Sequence, residues 1–93
     1  MVSETVSETL PQAPSEIEVD ESLDAVGLAC PLPLLKAKQA LNKMTAGQVL
    51  SVICTDPGSV RDFQVFASQS GHILLRSASD ADRYYYWLQK KAG

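Results

Sequence analysis

Three side chains in this sequence offer chemistry beyond simple ionic contact: Cys30, Cys54 and His72. Cys30 opens the run Cys30-Pro31-Leu32-Pro33, so no C-x-x-C redox pair exists, because Pro33 stands where the second cysteine would be. Metal binding lacks ligands, with a single histidine in the chain and Cys54 alone on a separate segment. A Cys–His nucleophile pair would need His72 beside the thiol, yet His72 opens a later strand that should start at the opposite edge. Two cysteines are too few for a disulfide framework, and a domain of this size folds without one. No cofactor and no metal are expected. One thiol before two prolines remains, and local sequence leaves two readings of it open: a nucleophile, or a small residue that packs at a helix start.

The elements around that thiol follow from periodicity. "SLDAV" from Ser22 reads as a short strand ended by Gly27. Cys30 is expected as a helix N-cap, with Pro31 at the first helical position, where a missing N–H costs nothing. Leu34, Ala37, Leu41 and Met44 recur at helical spacing, with Lys36, Gln39 and Lys43 on the opposite side as a solvated face. "QVLSVICT" is rich in β-branched residues and predicts a second strand, with Cys54 in the core. "DPGS" predicts a second helix start, Asp56 as N-cap and Pro57 first, followed by a buried stripe of Val60, Phe63, Phe66 and Ala67 up to Gly71. "HILLRS" and "RYYYWLQ" are two more strands joined by the polar turn "ASDAD". In the last strand Tyr84 and Tyr86 face one side while Tyr85 and Trp87 face the other. One pair should pack under the helices, and the other should lie on the sheet face that two helices leave uncovered.

The order is therefore β-α-β-α-β-β. Right-handed crossovers place both helices on one face of the sheet, giving a two-layer α/β (α+β) sandwich. With strands one and two parallel, both strand-to-helix turns fall at one sheet edge, the edge where open α/β sheets place their chemistry. Cys30 sits at the first turn, and Asp56, Gly58 and Ser59 would line the second. A helix dipole and free backbone N–H groups at that edge would lower the thiol's pKa modestly. A nearby carboxylate would raise it, so Asp56 is expected to point into its own cap. Arg61 and Asp62 fit an exposed ion pair worth under about 1 kcal/mol.

Charge divides the chain. Residues 1–21 hold six acidic residues and no basic one, a local charge of −6. They mix Ser, Thr, Pro and Glu without sustained apolar period, and are expected to be a disordered acidic extension. Residues 22–93 hold eight basic residues against five acidic ones, a mild +3. That is well short of a nucleic-acid footprint, so direct nucleic-acid binding is not expected. No apolar run reaches the length of a bilayer span, and the first residues lack the blocks of a signal peptide. A single domain over 22–93, cytoplasmic and monomeric by default, is the expectation.

"LDAVGLACPLP", then "DPGSVRD", then "GHILL" resembles the TusA/SirA-like family of small sulfur carriers in both motif and order. The resemblance covers about residues 23–93, and the family signature Cys-Pro-x-Pro is matched by Cys30, Pro31, Leu32 and Pro33. It implies a two-layer sandwich with a mixed four-stranded sheet. It also implies that Cys30 carries sulfur as a persulfide, with Pro31, Leu32 and Pro33 positioning it. A donor such as a cysteine desulfurase or a rhodanese-like protein would supply that sulfur, and an acceptor protein would take it. Members of the family serve tRNA thiolation, sulfur oxidation or cofactor sulfuration. Leu32 stands where some members carry Glu. A different class, a non-catalytic regulatory or protein-interaction module of the same fold, would use the sheet face and acidic extension and leave the thiol idle.

Overall fold

The structure, a computed structural model, describes residues 17–92. Most of the expected acidic extension, residues 1–16, lies outside the described residues. Six elements follow in the order read from the sequence: β1 (Glu21–Ala25), α1 (Leu32–Asn42), β2 (Val49–Cys54), α2 (Ser59–Ser70), β3 (Ile73–Asp80) and β4 (Arg83–Gln89). The sheet order is β1-β2-β4-β3. β1 and β2 are parallel, and β4 runs antiparallel to both β2 and β3. The sheet is thus mixed, and the last strand fills its centre.

Alternation along the two central strands decides which residues face the helices. Leu50, Val52 and Cys54 of β2 and Tyr86 and Leu88 of β4 point to one face. Ala37 and Leu41 from α1 and Phe63 from α2 close over that same face, which puts both helices in one layer. Leu41, Phe63 and Leu88 are fully excluded from solvent, each contributing about 1.5–3 kcal/mol through its buried apolar surface. The Phe63 and Tyr86 rings stack with centroids 4.4 Å apart. Lys38, exposed on α1, lies 5.6 Å from the centre of the Phe66 ring and bridges the two helices.

Three expectations are corrected. Val60 does not join the buried stripe and is 40% exposed. The inward side of α2 starts instead at Ser59 and continues through Phe63, Phe66 and Ala67, which places Val60 about 100° off that line. The turn between β3 and β4 is shorter than "ASDAD", because β3 runs on to Asp80, paired with Arg83. Only Ala81 and Asp82 remain to close it, with Ala81 at φ 57°. The sheet face opposite the helices is not left bare either. Tyr85 and Trp87 occupy it as expected, but they are only 8% and 3% exposed, packed with Val49, Ile53, Ala78 and Ile17. Ile17 reaches them because the chain entering β1 is tied to β2: Asp20 N–H donates to the Val49 carbonyl at 2.9 Å, and Val49 N–H donates to Asp20 Oδ2 at 2.8 Å. Among the described residues, no helix is long and apolar enough to cross a membrane.

Candidate functional site

The two strand-to-helix turns meet at one edge, as the parallel pairing of β1 and β2 requires. Gly27 N–H donates to Thr55 Oγ1 at 3.0 Å, fastening the first turn to the end of β2. Cys30 stands in the first turn with an exposed side chain, and the Cys30–Pro31 peptide bond is cis. Pro31 and Leu32 are exposed, while Pro33 is fully buried and anchors the start of α1 to the core. The four residues of the motif therefore divide their work. Pro33 is packed, and Cys30, Pro31 and Leu32 face outward.

Cys30 is not the helix cap. The cap of α1 is Pro31, with no side-chain cap hydrogen bond. The N–H of Leu32 already donates to the Ala29 carbonyl at 2.8 Å, so that backbone donor is not free for the sulfur. The thiol turns to the second helix instead and donates to Asp62 Oδ2 at 2.6 Å. This reverses the expected electrostatics. The hydrogen bond to the Asp62 carboxylate pushes the thiol pKa up, and desolvation and the charges of Asp62 and Asp56 add in the same direction. In this contact the sulfur is the donor, which requires the protonated form. Asp62, expected as an ion-pair partner of Arg61, belongs to the site.

The second turn approaches the sulfur closely. Gly58 is the cap of α2, at φ −66°, a conformation open to any residue. Space there is tight on one side: a Cβ would lie 3.0 Å from Asp56 Oδ2, and in ordinary contact with Cys30, 3.6 Å from its Cβ and 3.8 Å from its Sγ. Asp56 does not cap α2, since that helix has no side-chain cap. Its Oδ2 is buried without a hydrogen-bond partner. The expected seclusion of this carboxylate in its own cap is corrected, and its charge acts on the thiol.

Beneath the edge lies a buried polar layer. Ser59, the first residue of α2, shares a 2.7 Å hydrogen bond with the Tyr86 hydroxyl. Burial pushes the Tyr86 phenol up to about 12, against the opposing effect of the Ser59 contact. Cys54 is buried in the core as expected, and burial pushes its thiol pKa up as well. His72 sits at the other end of α2, where its Nδ1 accepts the Lys91 N–H at 3.0 Å. Cys30 contacts the first turn of a 12-residue helix, which is roughly 18 Å long, so His72 is no partner for the thiol. Among the described residues, no group of three or more His, Cys, Asp or Glu side chains is placed to hold a metal ion.

Sequence reasoning brought Cys30, Asp56, Gly58 and Ser59 to one edge, and the structure places them there. It missed Asp62 as a thiol partner. The available signal was spacing: Asp62 follows Ser59 by three residues, so both lie on the side of α2 that starts at this edge.

The domain is thus a two-layer α/β sandwich displaying one thiol where two strand-to-helix turns meet. Residues 21–90 match the family described as Sulfurtransferase TusA, and the chain belongs to that family. It is similar to the sulfur carrier protein TusA of Allochromatium vinosum, 51% identical over 73 residues that cover 78% of this chain and 96% of the relative. It also resembles the putative sulfur carrier protein YrkI of Bacillus subtilis, 41% identical over 71 residues covering 76% and 95% of the two chains. Among solved structures, the SirA-like protein from Desulfitobacterium hafniense superposes with a TM-score of 0.69 at 26% identity, covering 77% of this chain and 99% of that one.

Proposed function

We propose that this chain accepts a sulfur atom on Cys30 from a donor protein's persulfide, holds it as a persulfide, and delivers it to an acceptor protein. The observation that carries this reading is the exposed thiol at the meeting of the two turns. It sits on a rigid base made by buried Pro33 and by α2. Membership of a family whose relatives are named sulfur carriers supports the same reading.

The transfer balances without an external oxidant. Cys30 Sγ attacks the terminal sulfur of the donor persulfide, and a new S–S bond forms as the donor's S–S bond breaks. The electron pair of the broken bond stays on the donor's sulfur, which takes up the proton that Cys30 gives away. One zero-valent sulfur moves, and nothing is oxidised or reduced overall. Delivery is the same exchange in reverse roles, with the acceptor's thiolate as nucleophile.

A cysteine desulfurase or a rhodanese-like protein fits as donor, because each presents a sulfur-bearing cysteine. Val26, Leu32 and Val60 are 40%, 44% and 40% exposed and stand in the turns and first helical turns at this edge, apolar surface suited to a protein partner. Sulfur delivery to tRNA thiolation, sulfur oxidation or cofactor assembly is the role of the acceptor, not of this chain.

Incubation with a cysteine desulfurase and cysteine carrying radiolabelled sulfur tests the reading. The chain should take up label, Cys54→Ser should retain it, and Cys30→Ser should lose it. Equal labelling of Cys30→Ser and the unaltered chain would remove Cys30 from the reaction. Partner binding that survives Cys30→Ala, with no sulfur uptake by the unaltered chain, would define an interaction module instead.

A further inference from the structure

The empty and loaded forms of a persulfide carrier differ chemically at one atom, and the surroundings of Cys30 respond to that difference. The empty form ends in an S–H group, a donor, which meets Asp62 Oδ2 at 2.6 Å. A persulfide is a stronger acid than its parent thiol, so the loaded form ends in a charged sulfur with no proton to donate near neutral pH. Two carboxylates then confront it, Asp62 on α2 and Asp56 in the turn before that helix. Asp56 Oδ2 has no hydrogen-bond partner that would diminish its field. Gly58 sets no side chain against Sγ on the other side; a Cβ there would reach only ordinary van der Waals contact, 3.8 Å away. The titratable groups that act on the thiol are those two carboxylates, one from each part of the second strand-to-helix connection.

We propose that Asp62 is a positioning residue that distinguishes the empty carrier from the loaded one: its carboxylate holds the Cys30 S–H against α2, and it turns the charged persulfide outward toward a partner. The inference rests on the persulfide reading of Cys30 and adds a direction to it. An empty carrier keeps its nucleophile protonated and tethered to α2, exposed but held in one orientation, until a donor engages. A loaded carrier releases its sulfur from α2, because the contact that tethered it has become repulsive.

The test compares the full-length chain with Asp62→Asn, which keeps a carbonyl acceptor and removes the charge. Alkylation of Cys30 by iodoacetamide is followed across pH by mass at the Cys30 peptide, once with empty protein and once after chemical loading with inorganic polysulfide. In the empty form, Asp62→Asn should alkylate severalfold faster near neutral pH, with its profile moved to lower pH, since a neighbouring anion no longer opposes the thiolate. In the loaded form the two proteins should share one profile, because the terminal sulfur has left Asp62. No change in the empty form, or an equal shift in both forms, overturns the proposal. Asp62→Ser supplies the comparison should Asp62→Asn fail to fold, as judged by its urea transition. Loading by polysulfide needs no donor protein, so failure of enzymatic sulfur uptake would count against the proposed function while the empty-form arm still reads the latch.

Discussion

The Ser59–Tyr86 hydrogen bond holds the start of α2 against the sheet, one turn before Asp62, and its removal is the most informative perturbation of the fold. Both hydroxyls are buried and 2.7 Å apart. Tyr86→Phe deletes one hydroxyl while keeping the ring that stacks on Phe63, and it strands the Ser59 hydroxyl in the interior. A stranded buried hydroxyl costs about 1–3 kcal/mol. Ser59→Ala strands the Tyr86 hydroxyl in the same way and should cost a similar amount. The double variant removes both groups, leaves nothing unpaired, and should be less destabilised than the sum of the single ones. Urea unfolding of the four proteins measures this directly, and each kcal/mol lost should lower Tm by about 4–8 °C for a domain of this size. The single variants should also loosen the Asp62–Cys30 contact and shift the pH profile of Cys30 alkylation. Additivity within about 0.5 kcal/mol would show that the two hydroxyls are not coupled, and the anchoring role argued for them would fall.

Gly58→Ala tests the close approach at the thiol. The backbone angle tolerates alanine, and the loss of unfolded-state freedom is worth about 0.4–1 kcal/mol, which offsets the crowding of Asp56 Oδ2, so the urea midpoint should move little. Sulfur uptake should nonetheless slow, since the methyl group lies 3.8 Å from Sγ; uptake at the unaltered rate would contradict the geometry. Tyr86 also predicts an alkaline signature. Its folded pKa, about 12, lies above the ordinary tyrosine value of 10.0, so the unfolded chain loses that proton first. Its contribution is complete below the ordinary value and is lost as pH rises through that window. Stability should decline over this range more steeply in the unaltered chain than in Tyr86→Phe, and identical slopes would refute the assignment.

Much of the architecture was legible because it rests on periodicity. The alternation in "VLSVIC" and "RYYYW" sorts side chains to the two sheet faces, the helical spacing of Ala37 and Leu41 in α1 and of Phe63, Phe66 and Ala67 in α2 reports one inward side on each helix, and backbone sterics fix the hand of the crossovers. The convergence of Cys30 with the "DPGS" turn followed from parallel pairing alone. What stayed hidden depended on distances that no spacing encodes. The state of the Cys30 thiol turned on whether Sγ met the backbone N–H of Leu32 or the Asp62 carboxylate, and the Ala29 carbonyl settled that by taking the N–H first. Asp56 reads as a cap in sequence because Asp before Pro so often is one, yet α2 begins later, at Ser59. The cover over Trp87 came from Ile17, in a stretch whose composition gave no reason to expect contact with the sheet. Pattern specified the frame, and local competition for hydrogen bonds specified the chemistry.

The measurement that bears most directly on the account is the mass of the full-length chain after exposure to a cysteine desulfurase and cysteine, followed by mapping of the modified peptide. A gain of one sulfur atom is expected, located on the peptide containing Cys30 and removed by a reducing thiol. A chain that gains no sulfur, or that carries it on Cys54, contradicts it.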